Sequence, residues 1–305
     1  MQVILGAGGA IGKDLAKNLK NYTDNVRLFG RNPEKVNSDD VLIKGDLLNA
    51  DDVAKAVAGC NVAYLVAGIQ YKAEAWEMQW PVIMSNTINA CKKAGARLVF
   101  FDNMYMYNPQ KIGHMTEDTE IAPTSRKGKV RALIAGMVMN EFGKGEIEAL
   151  IARAADFYGP DIKNSLFSEV IVNNLRKGKK ANWFVSVDKL HNFTYTPDAA
   201  KATALLGNTP EAFNQVWHLP SSEPFTGKQW IEMVASELNT KPGIQIATKT
   251  ILKIMGLFNP IMKEFVEMAY QYDRDYFFDS SKFEKTFGIG ATPALEAVKQ
   301  ITTIK

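Results

Sequence analysis

Three glycines near the start of the chain have the spacing of a loop that binds phosphate. Gly6, Gly9 and Gly12 follow an apolar run at residues 3–5 and lead into a stretch with helical spacing. In such a strand–loop–helix unit the glycines permit a tight turn, close approach to a pyrophosphate, and close packing of helix on strand. N–H groups at the helix start then donate to the phosphate oxygens. The predicted dinucleotide site comprises Gly6, Ala7, Gly8, Gly9, Ala10, Ile11 and Gly12.

A basic residue follows the second apolar run, at residues 26–29. Domains specific for NAD place an acid here, about 20 residues beyond the glycine loop, to hold the ribose 2′-hydroxyl. Arg31 occupies this place. A guanidinium pairs with a 2′-phosphate, whereas a carboxylate would repel it. We therefore expect NADP(H) to be preferred over NAD(H); the alternative is that Arg31 is an ordinary surface arginine.

Two further pairs of residues follow predicted strands near this loop. Asp46 and Leu47 come after the third strand. The Asp46 carboxylate can accept a hydrogen bond from adenine, or it can cap a turn, and both interpretations remain open. Ala67 and Gly68 close the fourth strand, where small side chains leave room for the cofactor.

A parallel sheet is needed to bring these strand ends together. Strand-like runs lie at 3–5, 26–29, 41–44, 62–67, 97–101 and 148–152. Helical patterns between them lie at 11–19, 53–57, 73–93 and 126–142. This alternation predicts an α/β protein with a Rossmann-type, doubly wound parallel sheet over residues 1–160.

The rest of the chain, residues 161–305, has a less regular pattern. Helices are expected at 164–176, 197–206, 226–238, 249–270 and 293–303, and strands near 183–187, 193–195, 215–219 and 244–247. We interpret this part as a smaller C-terminal α/β lobe for the substrate, with strands and helices exchanged between the two parts.

Composition excludes several other classes of protein. The net charge of +3 is spread along 305 residues, so neither a nucleic-acid nor a membrane partner is expected. The two cysteines, Cys60 and Cys91, lack the grouping of a disulfide framework or a zinc site, and no metal is expected. No secretion signal pattern and no apolar run of about 18 residues is found, which predicts a cytoplasmic protein.

Two later segments add to the glycine loop and the Asp46–Leu47 pair. Residues 153–160 read Arg-Ala-Ala-Asp-Phe-Tyr-Gly-Pro, and residues 191–200 read His-Asn-Phe-Thr-Tyr-Thr-Pro-Asp-Ala-Ala. In this order the four motifs resemble the extended short-chain dehydrogenases and reductases, the NAD-dependent epimerase/dehydratase family. The resemblance spans nearly the whole chain and implies a nicotinamide cofactor, a small-molecule substrate and a possible homodimer.

The resemblance also implies a catalytic Tyr and Lys four residues apart on one helix, and a Ser or Thr after the fifth strand. The helix predicted at 126–142 contains no tyrosine. Alignment places Asn103 at the Ser position, Lys127 at the Tyr position and Arg131 at the Lys position. Asn103 would then donate to the substrate oxygen, and Arg131 would hold the nicotinamide ribose. The chain resembles atypical members that lack the Tyr–Lys pair.

Two side chains are candidates for the proton donor. Lys127 can donate a proton if burial and the charge of Arg131 make its ammonium group a stronger acid; the alternative is a solvated lysine in a basic cluster. Tyr105 lies just past the fifth strand, within reach of a nicotinamide; the alternative is an aromatic ring that only packs in the pocket.

Two functions are compatible with these residues. The first is an NADP(H)-dependent oxidoreductase or epimerase-like enzyme that acts on a carbonyl or hydroxyl group of a small molecule. The second is a catalytically inactive, regulatory NADP(H) sensor. The missing tyrosine favours the sensor, and the retained C-terminal motifs favour the enzyme, which is our prediction.

Overall fold

The computed structural model describes residues 1–160, 162 and 165–303. The chain divides into two compact units. The first, here called the sheet unit, comprises Met1–Met106, Lys127–Ala154 and Pro197–Leu219. The second unit comprises Tyr107–Arg126, Ala155–Thr196 and Pro220–Lys305. The units therefore interleave along the chain.

The strands and helices are numbered in chain order. The strands are β1 (Gln2–Leu5), β2 (Val26–Gly30), β3 (Val41–Lys44), β4 (Val62–Leu65), β5 (Arg97–Asp102), β6 (Ala149–Arg153), β7 (Phe157–Tyr158), β8 (Ala181–Phe184), β9 (Leu190–His191), β10 (Thr194–Tyr195), β11 (Val216–His218), β12 (Phe225–Thr226) and β13 (Ile244–Ala247). The helices are α1 (Ala10–Leu19), α2 (Ala50–Val57), α3 (Ala73–Ala94), α4 (Arg126–Gly143), α5 (Asn173–Arg176), α6 (Thr196–Gly207), α7 (Gly227–Glu237), α8 (Lys249–Phe258), α9 (Pro260–Val266), α10 (Ser281–Phe287) and α11 (Ala294–Thr303).

Seven parallel strands form the sheet of the first unit, in the order β11-β6-β5-β4-β1-β2-β3. Strands β1, β4 and β6 are buried along their whole length, as expected for a parallel sheet covered on both faces. The strand order reverses between β1 and β4, and ligands of open parallel sheets bind at the carboxyl ends beside such a point. The predicted α/β, Rossmann-type fold is confirmed.

Helices α3 and α4 contribute to the apolar core of the sheet unit. Trp80 and Met84 of α3, together with Ile134 and Val138 of α4, belong to one cluster of buried side chains that includes Phe100 of β5. Helices α3 and α4 are therefore fixed against β5 by apolar packing.

Short two-stranded sheets and an aromatic core characterise the second unit. Strands pair as β7 with β10, β8 with β13 and β9 with β12. Tyr158, Phe167, Phe193 and Trp230 pack with ring centroids 5.2–6.0 Å apart. Aromatic packing of this kind stabilises an irregular unit that has few strands.

The helix predicted over 249–270 is wrong as a single element, because α8 ends at Phe258 and α9 begins at Pro260. Asn259 has extended backbone angles, and its side chain accepts hydrogen bonds from the N–H groups of Ile261 and Met262. An Asn cap followed by Pro starts a new helix. Helix α10 was not predicted at all.

The helix predicted at 164–176 begins at a residue outside the described part of the chain. A π-helical turn, Phe167–Val172, precedes α5 there. Among the described residues, no helix is long and apolar enough to cross a membrane, and no group of three or more His, Cys, Asp or Glu side chains is placed to hold a metal ion.

Candidate active site

The first glycine of the loop is required by backbone geometry. Gly6 has φ of +95°, in the left-handed region, and a Cβ atom there would lie 2.5 Å from the Cα of Ala67. The N–H groups of Gly6 and Ala7 both donate to the carbonyl of Phe29, at 3.0 and 3.2 Å. The loop is thus hydrogen-bonded to β2 on one side and lies in close contact with the residues that follow β4 on the other.

The later glycines differ in their surroundings: Gly12 allows close packing, whereas Gly8 and Gly9 border open space. A Cβ on Gly12 would lie 2.7 Å from the carbonyl oxygen of Ala7, so helix α1 packs closely on its own loop. Within the described structure, a Cβ on Gly8 or Gly9 would meet no atom within 4 Å. Gly9 precedes the first residue of α1 and has no side chain to cap it. The start of α1 therefore presents N–H groups beside open space, which fits a dinucleotide phosphate.

Arg31 is exposed and directly follows β2. Asp46 is also exposed, and its Oδ1 accepts a hydrogen bond from the N–H of Leu48 at 3.0 Å. Asn86 of α3 donates to the carbonyl of Leu47 at 2.9 Å. Asp46 therefore supports a turn, in agreement with one of its two interpretations, while its contact with adenine stays a prediction.

Asn103 directly follows β5, and the oxygen of its side-chain amide has a hydrogen-bond partner. Its Oδ1 accepts from the N–H of Tyr105 at 3.0 Å. Its own N–H donates to the Asp102 carboxylate at 2.8 Å. No acceptor among the described residues takes a hydrogen bond from Asn103 Nδ2. The side chain is therefore oriented by its oxygen and retains a donor, as its predicted role requires.

Asp102, which sequence reasoning missed, connects two buried arginines. Its Oδ1 accepts from Nε of Arg131 at 2.7 Å and lies 2.5 Å from an Nη atom of the same guanidinium. Its Oδ2 lies 3.4 Å from Nε of Arg153. The Arg131 guanidinium also lies 4.7 Å from the centroid of the Trp80 ring. All three charged side chains are almost fully buried, and this network fixes the position of Arg131 on α4.

Lys127 is fully buried, one turn before Arg131 on α4. Its Nζ lies 4.7 Å from the centroid of the Tyr71 ring, within the range of a cation–π interaction. The alternative of a solvated lysine does not agree with this burial.

An aromatic cluster joins the two candidate proton donors. Tyr71 contacts Trp76 edge to face, with ring centroids 5.9 Å apart. Tyr105 stacks on Trp76, with ring centroids 6.2 Å apart. Tyr105 is only partly buried. Lys127 and Tyr105 are therefore both associated with the rings that follow β4.

A Tyr and a Lys four residues apart do occur elsewhere, as Tyr107 and Lys111. They lie in a loop, not on a helix, and Tyr107 is fully buried, bridged to Ile121. In the second unit, this pair lacks the helical geometry that would place both side chains on one face.

Residues of the two later motifs meet within the second unit. His191 Nε2 lies 3.2 Å from Asp156 Oδ2. The hydroxyl of Tyr272 donates to the same oxygen at 3.2 Å. The His191 ring stacks on Tyr276, with centroids 4.1 Å apart. The carboxylate of Asp156 is thus held by both His191 and Tyr272.

Comparison with known proteins gives a consistent assignment. A family model described as NAD(P)H-binding matches residues 6–132. A curated relative, 2-alkyl-3-oxoalkanoate reductase from Shewanella oneidensis, is 23% identical, covering 96% of this chain and 83% of the relative.

Solved structures of similar fold include two sugar-nucleotide enzymes. A double mutant of dTDP-glucose 4,6-dehydratase from Streptomyces venezuelae, with NAD bound, has a TM-score of 0.80 at 15% identity and covers 99% of this chain and 96% of that one. UDP-glucose 4-epimerase from Thermus thermophilus, in complex with NAD, has a TM-score of 0.77 at 15% identity, with coverage of 99% and 98%. At these identities the similarity establishes the fold.

Proposed function

Because this chain carries the NAD(P)H-binding domain and the fold of the extended short-chain dehydrogenases and reductases, we propose that it is an NADP(H)-dependent reductase of a small-molecule carbonyl. The observation that carries this proposal is the full burial of Lys127 on α4, a residue that the sequence resemblance aligns with the family's proton donor. The reductase among the relatives makes 3-oxo acids the first substrates to test.

In the proposed mechanism, the nicotinamide supplies a hydride to the carbonyl carbon when the cofactor is bound. Asn103 Nδ2 donates a hydrogen bond to the carbonyl oxygen and so stabilises the negative charge that develops there. Lys127 Nζ, as the ammonium, donates the proton that converts this oxygen to a hydroxyl. Arg131, held by Asp102, contributes positive charge and a donor surface for the ribose.

Replacement of Lys127 by methionine tests this assignment. We expect kcat for NADPH oxidation to fall by about 10²–10⁴-fold, the usual contribution of a proton donor, while the Kd for NADPH stays within about threefold. Lys129→Met is the matched control, because Lys129 is an exposed lysine on the same helix. It should leave both quantities unchanged.

Tyr105→Phe separates the two candidate donors. If this variant loses turnover and Lys127→Met does not, the proton donor is Tyr105. If both variants keep full turnover, the mechanism is refuted.

Preference for NADP(H) is the second part of the proposal, and it is supported by the exposed Arg31 directly after β2. Arg31→Asp removes the cation and introduces an acid. We expect the Kd for NADPH to rise on the order of tenfold or more, while the Kd for NADH stays the same or falls, because the 2′-phosphate loses a charge-assisted pair. Isothermal titration of both cofactors measures this, and tighter binding of NADH to the unmodified protein would refute the preference.

A regulatory NADP(H) sensor is the second candidate, and the observation that favours it is the absence of tyrosine from α4. It predicts different affinities for NADP⁺ and NADPH with no turnover of any carbonyl substrate. We also propose that the chain forms a homodimer, which light scattering of the purified protein tests directly.

A further inference from the structure

Helix α8 presents an apolar face to solvent. Ile251, Ile254, Met255 and Phe258 recur at intervals of three and four residues, so they share one face of the helix. All four are exposed, Phe258 to 85%, and the neighbouring Leu257 is 78% exposed. A contiguous exposed apolar patch of this kind is typical of a surface that binds another protein or a membrane.

The patch continues across the turn into α9. A Cβ on Gly256 would lie 3.1 Å from the Cα of Lys263, so the two helices pack closely against each other. The Asn259 cap fixes the start of α9, and Ile261 is exposed in its first turn. We call residues 249–266 the apolar hairpin; its tip is a defined turn with apolar side chains on the outside.

The inner side of the apolar hairpin has its own contacts. Leu252 of α8 and Phe265 of α9 are buried in the aromatic core of the second unit. Phe265 packs on Phe184 with ring centroids 4.4 Å apart. Since these residues attach the hairpin, the exposed apolar face is not needed for the core.

The charge of the apolar hairpin indicates which kind of surface binds to it. The apolar hairpin contains three lysines and one acid, Glu264, which follows Lys263. Lys249 is paired with Asp273, while Lys253 and Lys263 are exposed and, among the residues that the structure describes, form no ion pair. Self-association of this face would bring like charges together, whereas an anionic surface would be attracted. Exposed apolar side chains flanked by lysine are typical of helices that lie in a membrane interface.

We propose that the apolar hairpin docks the protein peripherally on bilayers that contain anionic phospholipid. Leu257, Phe258 and Ile261 enter the boundary between head groups and acyl chains, and Lys253 and Lys263 contact lipid phosphates. The even spread of charge along the chain predicted no membrane partner. That average does not reveal a local surface that exists only after α8 and α9 pair. This proposal is independent of the proposed reductase activity.

Sedimentation with lipid vesicles tests the docking. The full chain is expected to bind vesicles of phosphatidylcholine mixed with phosphatidylglycerol more tightly than vesicles of phosphatidylcholine alone. Leu257→Ser with Phe258→Ser should weaken binding to the mixed vesicles by on the order of tenfold or more for each side chain. Lys253→Gln with Lys263→Gln should weaken it by about fivefold for each lysine, and only at low salt.

A matched control uses exposed apolar side chains elsewhere on the protein. Met78→Ser with Leu133→Ser removes two such residues from the sheet unit and should leave vesicle binding unchanged. Circular dichroism verifies that each variant is folded. The proposal is overturned if the Leu257/Phe258 variant binds mixed vesicles as well as the unmodified chain, or if the unmodified chain binds neither vesicle. It is also overturned if that variant dissociates a dimer and leaves vesicle binding unchanged, because the hairpin would then contact a second copy.

Discussion

Replacement of Asp102 by leucine should destabilise the sheet unit strongly. The carboxylate is 1% exposed and is shared by the guanidiniums of Arg131 and Arg153. Its removal leaves two buried cations without their common partner, and breaking a buried ion pair in this way costs about 3–5 kcal/mol. Arg131 retains a 3.3 Å hydrogen bond to the carbonyl of Phe101 and its contact with the Trp80 ring, which offset part of the loss.

The same strand offers a matched control. Arg97, at the start of β5, pairs with Glu148 at 2.6 Å, but the two side chains are 36% and 55% exposed. Glu148→Leu makes the same kind of change in a solvated pair, and we expect it to cost about 0–1 kcal/mol. The double variant Asp102→Leu with Arg131→Met should be less destabilised than the sum of its single variants, by about 0.5–3 kcal/mol, because one unpaired cation is removed together with its partner.

Urea unfolding followed by tryptophan fluorescence measures these differences, since Trp76 and Trp80 lie beside the Arg131 guanidinium. Hydrogen exchange of β5 provides a second, local measurement of the same free energy. If Asp102→Leu and Glu148→Leu differ by less than about 1 kcal/mol, the buried network does not contribute to stability as argued.

The remaining predictions concern the glycine loop and the thiols. Gly9→Ala should leave thermal stability unchanged and weaken NADPH binding by on the order of tenfold, because the added Cβ meets no protein atom within 4 Å and would enter the space proposed for the dinucleotide. Gly6→Ala should lower the melting temperature as well, because its Cβ would clash with Ala67, and equal melting temperatures for the two variants would contradict this. Burial raises the pKa of the Cys91 thiol to about 12, and that of Cys60 above its usual value, so neither should react with Ellman's reagent at mildly alkaline pH until urea is added. Since Cys91 holds its proton more tightly in the folded chain, its contribution to stability is present below pH 9 and is lost as the pH rises from 9 towards 12.

Features fixed by local chemistry could be predicted from sequence. The glycine loop, the strand alternation and Arg31 after β2 depend on neighbouring residues, and the fold confirms the strand alternation and the place of the loop between β1 and α1. Asp102 could not be assigned, because its partner lies 29 residues further along the chain and meets it only when α4 packs on the sheet. The break between α8 and α9 did have a visible signal, Asn259 followed by Pro260, which the continuous apolar pattern outweighed.

The burial of Lys127 bears on the choice between an enzyme and a sensor. Transfer of an ammonium group from water to a buried position costs free energy, and contact with the Tyr71 ring offsets about 0.5–2 kcal/mol of that cost. A reductase gains a proton donor from this residue, whereas nucleotide binding alone requires none. Lys127→Met should therefore lower kcat by about 10²–10⁴-fold while the chain stays folded, which thermal unfolding of the variant verifies. A variant that is less stable and fully active would assign Lys127 to the structure and leave Tyr105 as the candidate proton donor, whereas an unmodified chain with no turnover would favour the sensor.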